Sequence, residues 1–321
     1  LGVWQTGGNG RLAALRQHRL YGEYRLALPD VSDDDVCGSC FAIAAYTASG
    51  LVGGDAALER FYRRLQARGM RLMLDFVPNH TAVDHPWAYH HPEYYIPGSE
   101  QDIRREPGNY ILLQTAQGPR ILAHGRDPYF PAWNDTLQLN YANHALQEAM
   151  AAELRRIAGM CDGVRCDMAM LLLPGVIEKT WGLAARPFWP AAIEQARQAH
   201  PGFTFLAEVY WGLEWTLQQQ GFDFTYDKGL YDRLRDLHAR PVRDHLQAEV
   251  SSQGRMARFL ENHDEQRAAS VFPHPIHPAA ALAAYLAPGL RFFHQGQFDG
   301  ALERLPVQLC RAPEIAVNEE I

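Results

Sequence analysis

Charged and imidazole side chains follow four short apolar runs of this 321-residue chain. The runs are RLMLDFVPNH, DGVRCDMAM, FTFLAEVYW and MARFLENHDE, and the residues they present are Asp75, His80, Arg165, Asp167, Glu208, His263 and Asp264. A buried charge is unfavourable unless it is paired or takes part in chemistry. Carboxylates and imidazoles that converge on one place can act as nucleophile, proton donor or electrostatic stabiliser. We therefore interpret these residues as a candidate site.

Each motif also has a structural explanation when it is taken alone. A His-Asp pair such as His263-Asp264 is usually a surface turn, and an Arg two residues from an Asp is usually an ion pair that serves the fold. The order of the motifs favours chemistry, because all four lie at the ends of strand-like runs. Arg165 and Asp167 are two positions apart, so a strand would direct both side chains to the same face.

Apolar runs alternate with amphipathic segments along most of the chain. Helices are predicted near 56–68, 143–159, 188–199 and 278–287, and strands at LGVWQTG, RLMLDFVPN, DGVRCDMAM, FTFLAEVYW, FDFTYDKG, MARFLENHD and LRFFHQGQ. This alternation is typical of parallel β-α units. Because no glycine-rich phosphate loop is present, we predict an α/β fold with a closed (β/α)8 barrel instead of a doubly wound sheet. Such barrels carry their chemistry at the carboxyl ends of the strands.

Residues 81–140 interrupt this alternation. The stretch is rich in His, Pro, Tyr and Trp and is too long for an ordinary connection. We predict a small inserted subdomain there, with residues 1–80 as the first part of the barrel and residues 141–321 as its remainder.

The composition argues against several kinds of partner. The net charge is −7 and there is no basic cluster, so nucleic acid is not expected. No run approaches 18 apolar residues, which argues against a membrane span, and no basic-then-apolar leader is visible, so we expect a cytoplasmic protein. The five cysteines do not form a disulfide framework. Cys37-Gly-Ser-Cys40 has no second CxxC, and we interpret it as structural.

The four motifs together resemble those of the α-amylase superfamily, glycoside hydrolase family 13. In chain order they fall on Asp75 to His80, Gly163 to Asp167, Glu208, and His263-Asp264, and LQLNY at 137–141 resembles an additional motif of the family. The resemblance covers nearly the whole chain. It implies a (β/α)8 barrel with a subdomain inserted after the third strand.

On this resemblance the chain is a retaining α-glycosidase or α-glucan transglycosylase that forms a covalent glycosyl-enzyme intermediate. Asp167 is implied to be the nucleophile, Glu208 the general acid/base and Asp264 the transition-state stabiliser. The residues implied to bind the sugar are Asp75, His80, Arg165, His263 and Phe41. Those residue types suit the reaction, which needs an ionised and a protonated carboxyl group. We expect Arg165 to keep Asp167 ionised and the apolar neighbours of Glu208 to raise its pKa.

Some positions depart from the family's pattern. The opening LGVWQTG resembles the second barrel strand, which implies that the first β-α unit is missing and that the chain is a fragment. Residues 168–171, MAML, stand where many α-amylases have a Lys-His pair. We therefore expect a more apolar acceptor side and a preference for short substrates.

No cofactor is expected to be required, and no residue is assigned as a metal ligand. Calcium is an alternative, because Asn79 matches a position that often binds it in relatives. The alternative function is that of a non-catalytic family member that binds carbohydrate or a protein partner.

Overall fold

The structure, a computed structural model, describes residues 2–318 and divides them into two units. Residues 2–16 and 37–208 form the first unit, and residues 17–36 and 209–318 form the second. No helix within the described residues is both long and apolar enough to cross a bilayer.

The described residues contain twelve β-strands. They are β1 (Trp4–Thr6), β2 (Ile43–Ala48), β3 (Met73–Phe76), β4 (His80–Ala82), β5 (Tyr110–Thr115), β6 (Gly118–Ala123), β7 (Thr136–Gln138), β8 (Gly163–Cys166), β9 (Thr204–Ala207), β10 (Phe224–Tyr226), β11 (Met256–Arg258) and β12 (Leu290–Arg291).

The helices of residues 2–318 are mostly short. They are α1 (Gly8–Arg16), α2 (His18–Ala27), α3 (Gly54–Gln66), α4 (Pro86–His90), α5 (Glu100–Arg105), α6 (His144–Ala158), α7 (Pro174–Trp181), α8 (Trp189–Ala199), α9 (Glu214–Gln219), α10 (Lys228–Arg235), α11 (Ala239–Leu246), α12 (Val250–Gln253), α13 (Ala268–Val271) and α14 (Ile276–Tyr285).

Three parallel strands run through the first unit. β8 pairs with β3 on one side and with β9 on the other, and all four residues of β8 are buried. Such continuous burial is typical of a parallel strand that is covered on both faces. α6 and α8 pack against each other. α6 begins where the Asn143 side chain accepts the Ala145 N–H, and its buried face carries Leu146, Met150 and Leu154.

The predicted alternation is confirmed for most of the chain. Segments α3, α6, α8 and α14 coincide with the four predicted helices within two residues, and six of the seven predicted strands contain a parallel strand. These segments were predictable because their apolar positions recur with helical spacing or form short continuous runs.

The first predicted strand is present, but the prediction that it pairs in parallel is wrong. β1 runs antiparallel to β2, with register shifts at Gln5, and β2 was not predicted as a strand. The burial of β2 does not alternate: Ile43, Tyr46 and Ala48 are buried, whereas Ala44 and Ala45 are half-buried. A strand without a period of two gives no alternating signal in the sequence.

The segment predicted to be inserted begins and ends on one antiparallel ladder. β4 pairs with β7, so that His80 lies opposite Gln138 and Ala82 lies opposite Thr136. Between them β5 and β6 form a hairpin, in which Gly118 at the turn has a φ of 91°. Glycine adopts this left-handed backbone without the steric penalty of a side chain.

The second unit has its own three parallel strands, in the order β10, β11, β12. Ion pairs join α2 and the residues that follow it to the segment after residue 303. Arg304 contacts Glu23, and Arg311 contacts Asp30 and Asp35.

Candidate active site

The register of the parallel strands brings the first-unit site residues to one level. Asp75 in β3 lies opposite Arg165 in β8. Beyond the strand ends, the Asp167 N–H donates to the Phe76 carbonyl at 2.8 Å and the Glu208 N–H donates to the Cys166 carbonyl at 3.0 Å. The sheet hydrogen bonds therefore continue past β8 and β9 and align Asp167 with Glu208.

Arg165 lies at the centre of this cluster. Its Nη1 atom is 3.0 Å from Asp75 Oδ1 and 2.9 Å from Asp167 Oδ1, and its Nη2 atom is 2.8 Å from Glu208 Oε1. All four side chains are buried or nearly so, with Asp75 the most exposed at 15%. The predicted meeting of these residues is thus observed. We call these four residues the acidic site.

Glu208 receives a second donor from the backbone. The Met168 N–H donates to Glu208 Oε2 at 2.8 Å, so both carboxyl oxygens face a donor. Met168 has φ 43° and ψ 44°, a left-handed conformation that is uncommon for residues other than glycine. Ala169 N–H donates to the Glu208 carbonyl at 3.0 Å. Hydrogen bonds to both the side chain and the backbone of Glu208 therefore hold the turn after Asp167.

The charge balance of the acidic site differs from the expectation that Arg165 keeps Asp167 ionised. Burial and the neighbouring Glu208 carboxylate raise the pKa of Asp167 well above its usual range, although Arg165 acts in the opposite direction. One guanidinium faces three carboxyl groups, so full ionisation would leave excess negative charge in a buried place. The sequence shows the Arg-x-Asp pair, but it does not show how many acids share that arginine.

His80 and Phe41 extend the acidic site on one side. The Phe41 ring lies under the Arg165 guanidinium at 5.3 Å, and the His80 ring hydrogen-bonds to the Phe41 backbone. Burial lowers the pKa of His80 to about 4, so its imidazole is neutral near pH 7. The structure thus places both predicted sugar-binding residues next to the acidic site.

Two tryptophans that the motifs did not indicate support this region. Trp4 Nε1 donates to the Asp75 carbonyl at 2.6 Å, and the Trp133 ring lies 5.1 Å from the His80 ring. Neither position has a motif of its own. Trp133 is distinguished only by its place in the aromatic-rich stretch before LQLNY, and Trp4 by its place in the first predicted strand.

Comparison with known proteins shows which proteins this chain is similar to. The sequence profile of the α-amylase catalytic domain matches residues 46–182. The chain is 24% identical over 257 residues to α-amylase MalA of Haloarcula japonica, covering 78% of this chain and 34% of that protein. It is also similar in structure to an α-amylase from Lactobacillus plantarum, with a TM-score of 0.64, 25% identity, and coverage of 84% of this chain and 61% of that one. These similarities support the resemblance to the α-amylase superfamily that the four motifs indicate.

Similarity to solved structures also supports a barrel-type fold for this chain. A maltogenic α-amylase, AmyB of Thermotoga neapolitana, matches with a TM-score of 0.63 and 25% identity over 84% of this chain and 57% of that one. The chain spans 34% of the length of Haloarcula japonica MalA and 52% of α-amylase 3 of Dictyoglomus thermophilum, to which it is 24% identical over 284 residues and 79% of its own length.

The remaining family residues lie in the second unit. His263 Nε2 is 3.0 Å from Asp264 Oδ2, and the Asn262 side chain accepts the N–H groups of Asp264 and Glu265 at 2.9 Å each. This local turn fixes the backbone at His263 and Asp264. The role of His263 and Asp264 beside Asp167 and Glu208 stays a prediction.

The MAML segment differs from the expectation that it lines an apolar acceptor side. Ala169, Met170 and Leu171 are buried, and only Met168 is partly exposed. These side chains therefore belong to the core of the first unit. A buried segment of this kind gives no reason for a preference for short substrates.

A calcium ion at Asn79 is not favoured by the surrounding groups. Asn79 Oδ1 accepts a hydrogen bond from Gln138 Nε2 at 2.9 Å, and its Nδ2 atom is 3.3 Å from His80 Nδ1. Within residues 2–318 no group of three His, Cys, Asp or Glu side chains is arranged to hold a metal ion. Calcium prefers six to eight oxygen ligands, which this donor set does not supply.

Proposed function

We propose that this chain is a glycoside hydrolase that cleaves α-linked glucosides with retention of the anomeric configuration. The observation that carries the proposal is the contact of one guanidinium, that of Arg165, with both Asp167 and Glu208. It holds two carboxyl groups side by side in a buried place. Retaining glycosidases need such a close pair, about 5–5.5 Å apart, because one acid attacks the sugar directly.

In the first step Asp167 attacks the anomeric carbon while Glu208 gives a proton to the leaving oxygen. In the second step Glu208 takes a proton from the acceptor, which then displaces Asp167. Water as acceptor gives hydrolysis, and a second sugar gives transglycosylation. Both outcomes are compatible with the same acidic site.

The pair must hold one proton before the reaction starts. We propose that Asp167 and Glu208 share this proton in the free protein, since two buried carboxylates beside one guanidinium disfavour full ionisation. In the transition state for cleavage of a bound glucoside, positive charge develops at the anomeric centre and favours ionised Asp167. The proton then resides on Glu208, where the leaving oxygen needs it.

The neighbouring residues bind and stabilise the sugar in this proposal. Neutral His80 supplies a ring N–H or lone pair to a sugar hydroxyl, and Phe41 supplies an apolar face. Asp264 stabilises the oxocarbenium-like charge, and His263 binds a hydroxyl group. An α-glucoside is the proposed partner. We also propose a cytoplasmic location and a reaction that requires no cofactor.

Turnover of 4-nitrophenyl α-glucoside and of maltooligosaccharides tests the proposal. The parent chain and the control Asp244→Asn, which changes an exposed carboxylate on α11, should both release product. Asp167→Asn should lose at least about 10^4-fold in kcat/KM, because the nucleophile is removed while its volume is kept. A parent chain that binds maltooligosaccharides but turns over none of these substrates would contradict the proposal and favour a non-catalytic carbohydrate-binding role.

Glu208→Gln tests the proton donor separately. It should lose far less activity on α-glucosyl fluoride than on a maltooligosaccharide, because fluoride leaves without a proton. Equal losses on both substrates would argue against Glu208 as the acid.

A further inference from the structure

A buried tryptophan lies behind the turn that follows Asp167. Trp189, the first residue of α8, is fully buried, and its Nε1 atom donates a hydrogen bond to the Ala169 carbonyl at 2.9 Å. Its ring meets the Phe76 ring edge to face, with 6.4 Å between the ring centres. The chemistry proposed above does not use this side chain.

The turn has a backbone conformation that needs support. Met168 is left-handed, and a residue other than glycine keeps such a conformation only where its surroundings hold it. The Ala169 N–H donates to the Glu208 carbonyl at 3.0 Å, and the carbonyl of the same residue accepts from Trp189. Ala169 is therefore held from both β9 and α8, next to the left-handed residue.

The contact with Trp189 bears on Glu208 more directly than on Asp167. The N–H of Asp167 continues the sheet hydrogen bonds to β3, and its carboxyl group contacts Arg165 at 2.9 Å. Glu208 Oε2 accepts instead from the Met168 N–H at 2.8 Å, and the direction of this donor depends on the turn. A change in the turn would therefore misalign the Glu208 carboxyl group first.

We propose that Trp189 is a positioning residue for the general acid. Through the Ala169 carbonyl it holds the turn in which the Met168 N–H faces Glu208. This inference rests on the proposed function, in which Glu208 gives a proton to the leaving oxygen. Phenylalanine at position 189 keeps an aromatic ring and removes the donor, so it tests the hydrogen bond with little change in the kind of packing.

Measurement of kcat/KM with maltotriose and with α-glucosyl fluoride tests the proposal on the full chain. Trp189→Phe should lose about fivefold to tenfold on maltotriose and less than about twofold on the fluoride, because only the maltotriose leaving group needs a proton. The matched control is Ile157→Val, a smaller side chain at a buried position of α6. It should lower the melting temperature and keep the ratio of the two kcat/KM values within about twofold of the parent.

Combination with Met168→Val tests the route through the turn. Valine disfavours the left-handed backbone and so already turns the N–H away from Glu208. In that background Trp189→Phe should cost less than about twofold more on maltotriose, since the donor that it positions is lost. Trp189→Met has no donor and fills irregular space, so it carries the same expectations if Trp189→Phe does not fold.

The outcomes separate this inference from the proposed function. Equal losses of the Trp189 variant on both substrates, or losses that multiply in the double variant, overturn the positioning role. Glu208→Gln is measured in parallel on the same two substrates. If it changes their ratio and the Trp189 variant does not, the positioning role is rejected and the proposed function stands. If Glu208→Gln loses equally on both, the assignment of the acid fails and this inference fails with it.

Discussion

Two buried clusters of charged side chains, one in each unit, have different charge balances. In the first unit Arg165 contacts three carboxyl groups, those of Asp75, Asp167 and Glu208. In the second unit Asp227 is the carboxylate contacted by both Arg258 and His245. The first cluster has too few cations for its acids. In the second, cationic and neutral donors surround one acid.

The second cluster satisfies its charges by itself. Arg258 is fully buried and also donates to the Gln253 side chain and the Pro288 carbonyl. Burial lowers its pKa to about 10, which leaves it charged at neutral pH. Such a pair with additional hydrogen bonds holds elements together. The excess negative charge of the acidic site instead suits a reaction in which positive charge develops on the bound sugar.

Asp167→Asn should separate activity from stability most clearly. Beyond the loss of turnover by at least about 10^4-fold, the free energy of unfolding at pH 7 should stay constant or rise by about 1 kcal/mol. An acid with a raised pKa binds more protons in the folded than in the unfolded state. Its stabilising contribution therefore decreases as the pH rises above the unfolded value of about 3.9.

Urea denaturation at pH 5 and pH 7 measures this effect. The gain from Asp167→Asn should be larger at pH 7. A variant less stable than the parent by more than about 2 kcal/mol would show that the acidic site is a balanced structural cluster.

Asp227→Asn should have the opposite effect on stability. Removing the carboxylate leaves Arg258 buried beside uncharged groups, so the free energy of unfolding should fall by about 3–5 kcal/mol. Asp244→Asn, an exposed change in the same unit, should stay within about 0.5 kcal/mol of the parent. A loss below about 1 kcal/mol for Asp227→Asn would remove the distinction between the two clusters.

His80 should make the protein less stable in acid. Its pKa of about 4 lies below the ordinary value of about 6.5, so the unfolded chain binds more protons between these values. Stability should therefore fall as the pH drops from about 6.5 to 4, by up to about 3 kcal/mol from this group. Burial lowers the pKa of His85 to about 4 as well, and it adds to the same window.

His80→Gln should reduce the change in unfolding free energy between pH 7 and pH 5. Proton NMR of the ring gives a direct check, with a titration midpoint expected below 5. A midpoint near 6.5 would mean that the imidazole is not buried as described.

Substitution of Met168 should have the smallest of these effects. Valine is poorly suited to a left-handed backbone, so Met168→Val should turn the N–H away from Glu208 and lower kcat/KM about tenfold. Met168→Gly and Met168→Asn tolerate this conformation and should keep the parent kcat/KM. Equal behaviour of all three variants would contradict the role of this N–H.

The sequence allowed prediction of the elements with strong periodicity and of the residues at the strand ends. α6 and β8 follow from apolar spacing, and the meeting of Arg165 with Asp167 follows from their two-residue separation. The antiparallel pairing of β1 with β2 could not be predicted, because it depends on contacts between short, irregular strands.

The remaining site features depend on tertiary contacts. The contacts of Asp75 and Glu208 with Arg165, the position of Trp133 on His80 and the left-handed turn at Met168 depend on residues distant in the sequence. No local pattern encodes them. The burial of MAML could not be predicted for a related reason, since a segment after a strand can turn either towards the core or towards the substrate.

The configuration of the sugar first released tests the central claim most directly. Proton NMR can follow the anomeric signals during hydrolysis of an aryl α-glucoside, before mutarotation mixes them. The close pair of Asp167 and Glu208 predicts that the α-anomer appears first, since the glycosyl-enzyme intermediate inverts the centre twice. A β-anomer released first would contradict the account, because it requires water between carboxyl groups about 6.5–9.5 Å apart.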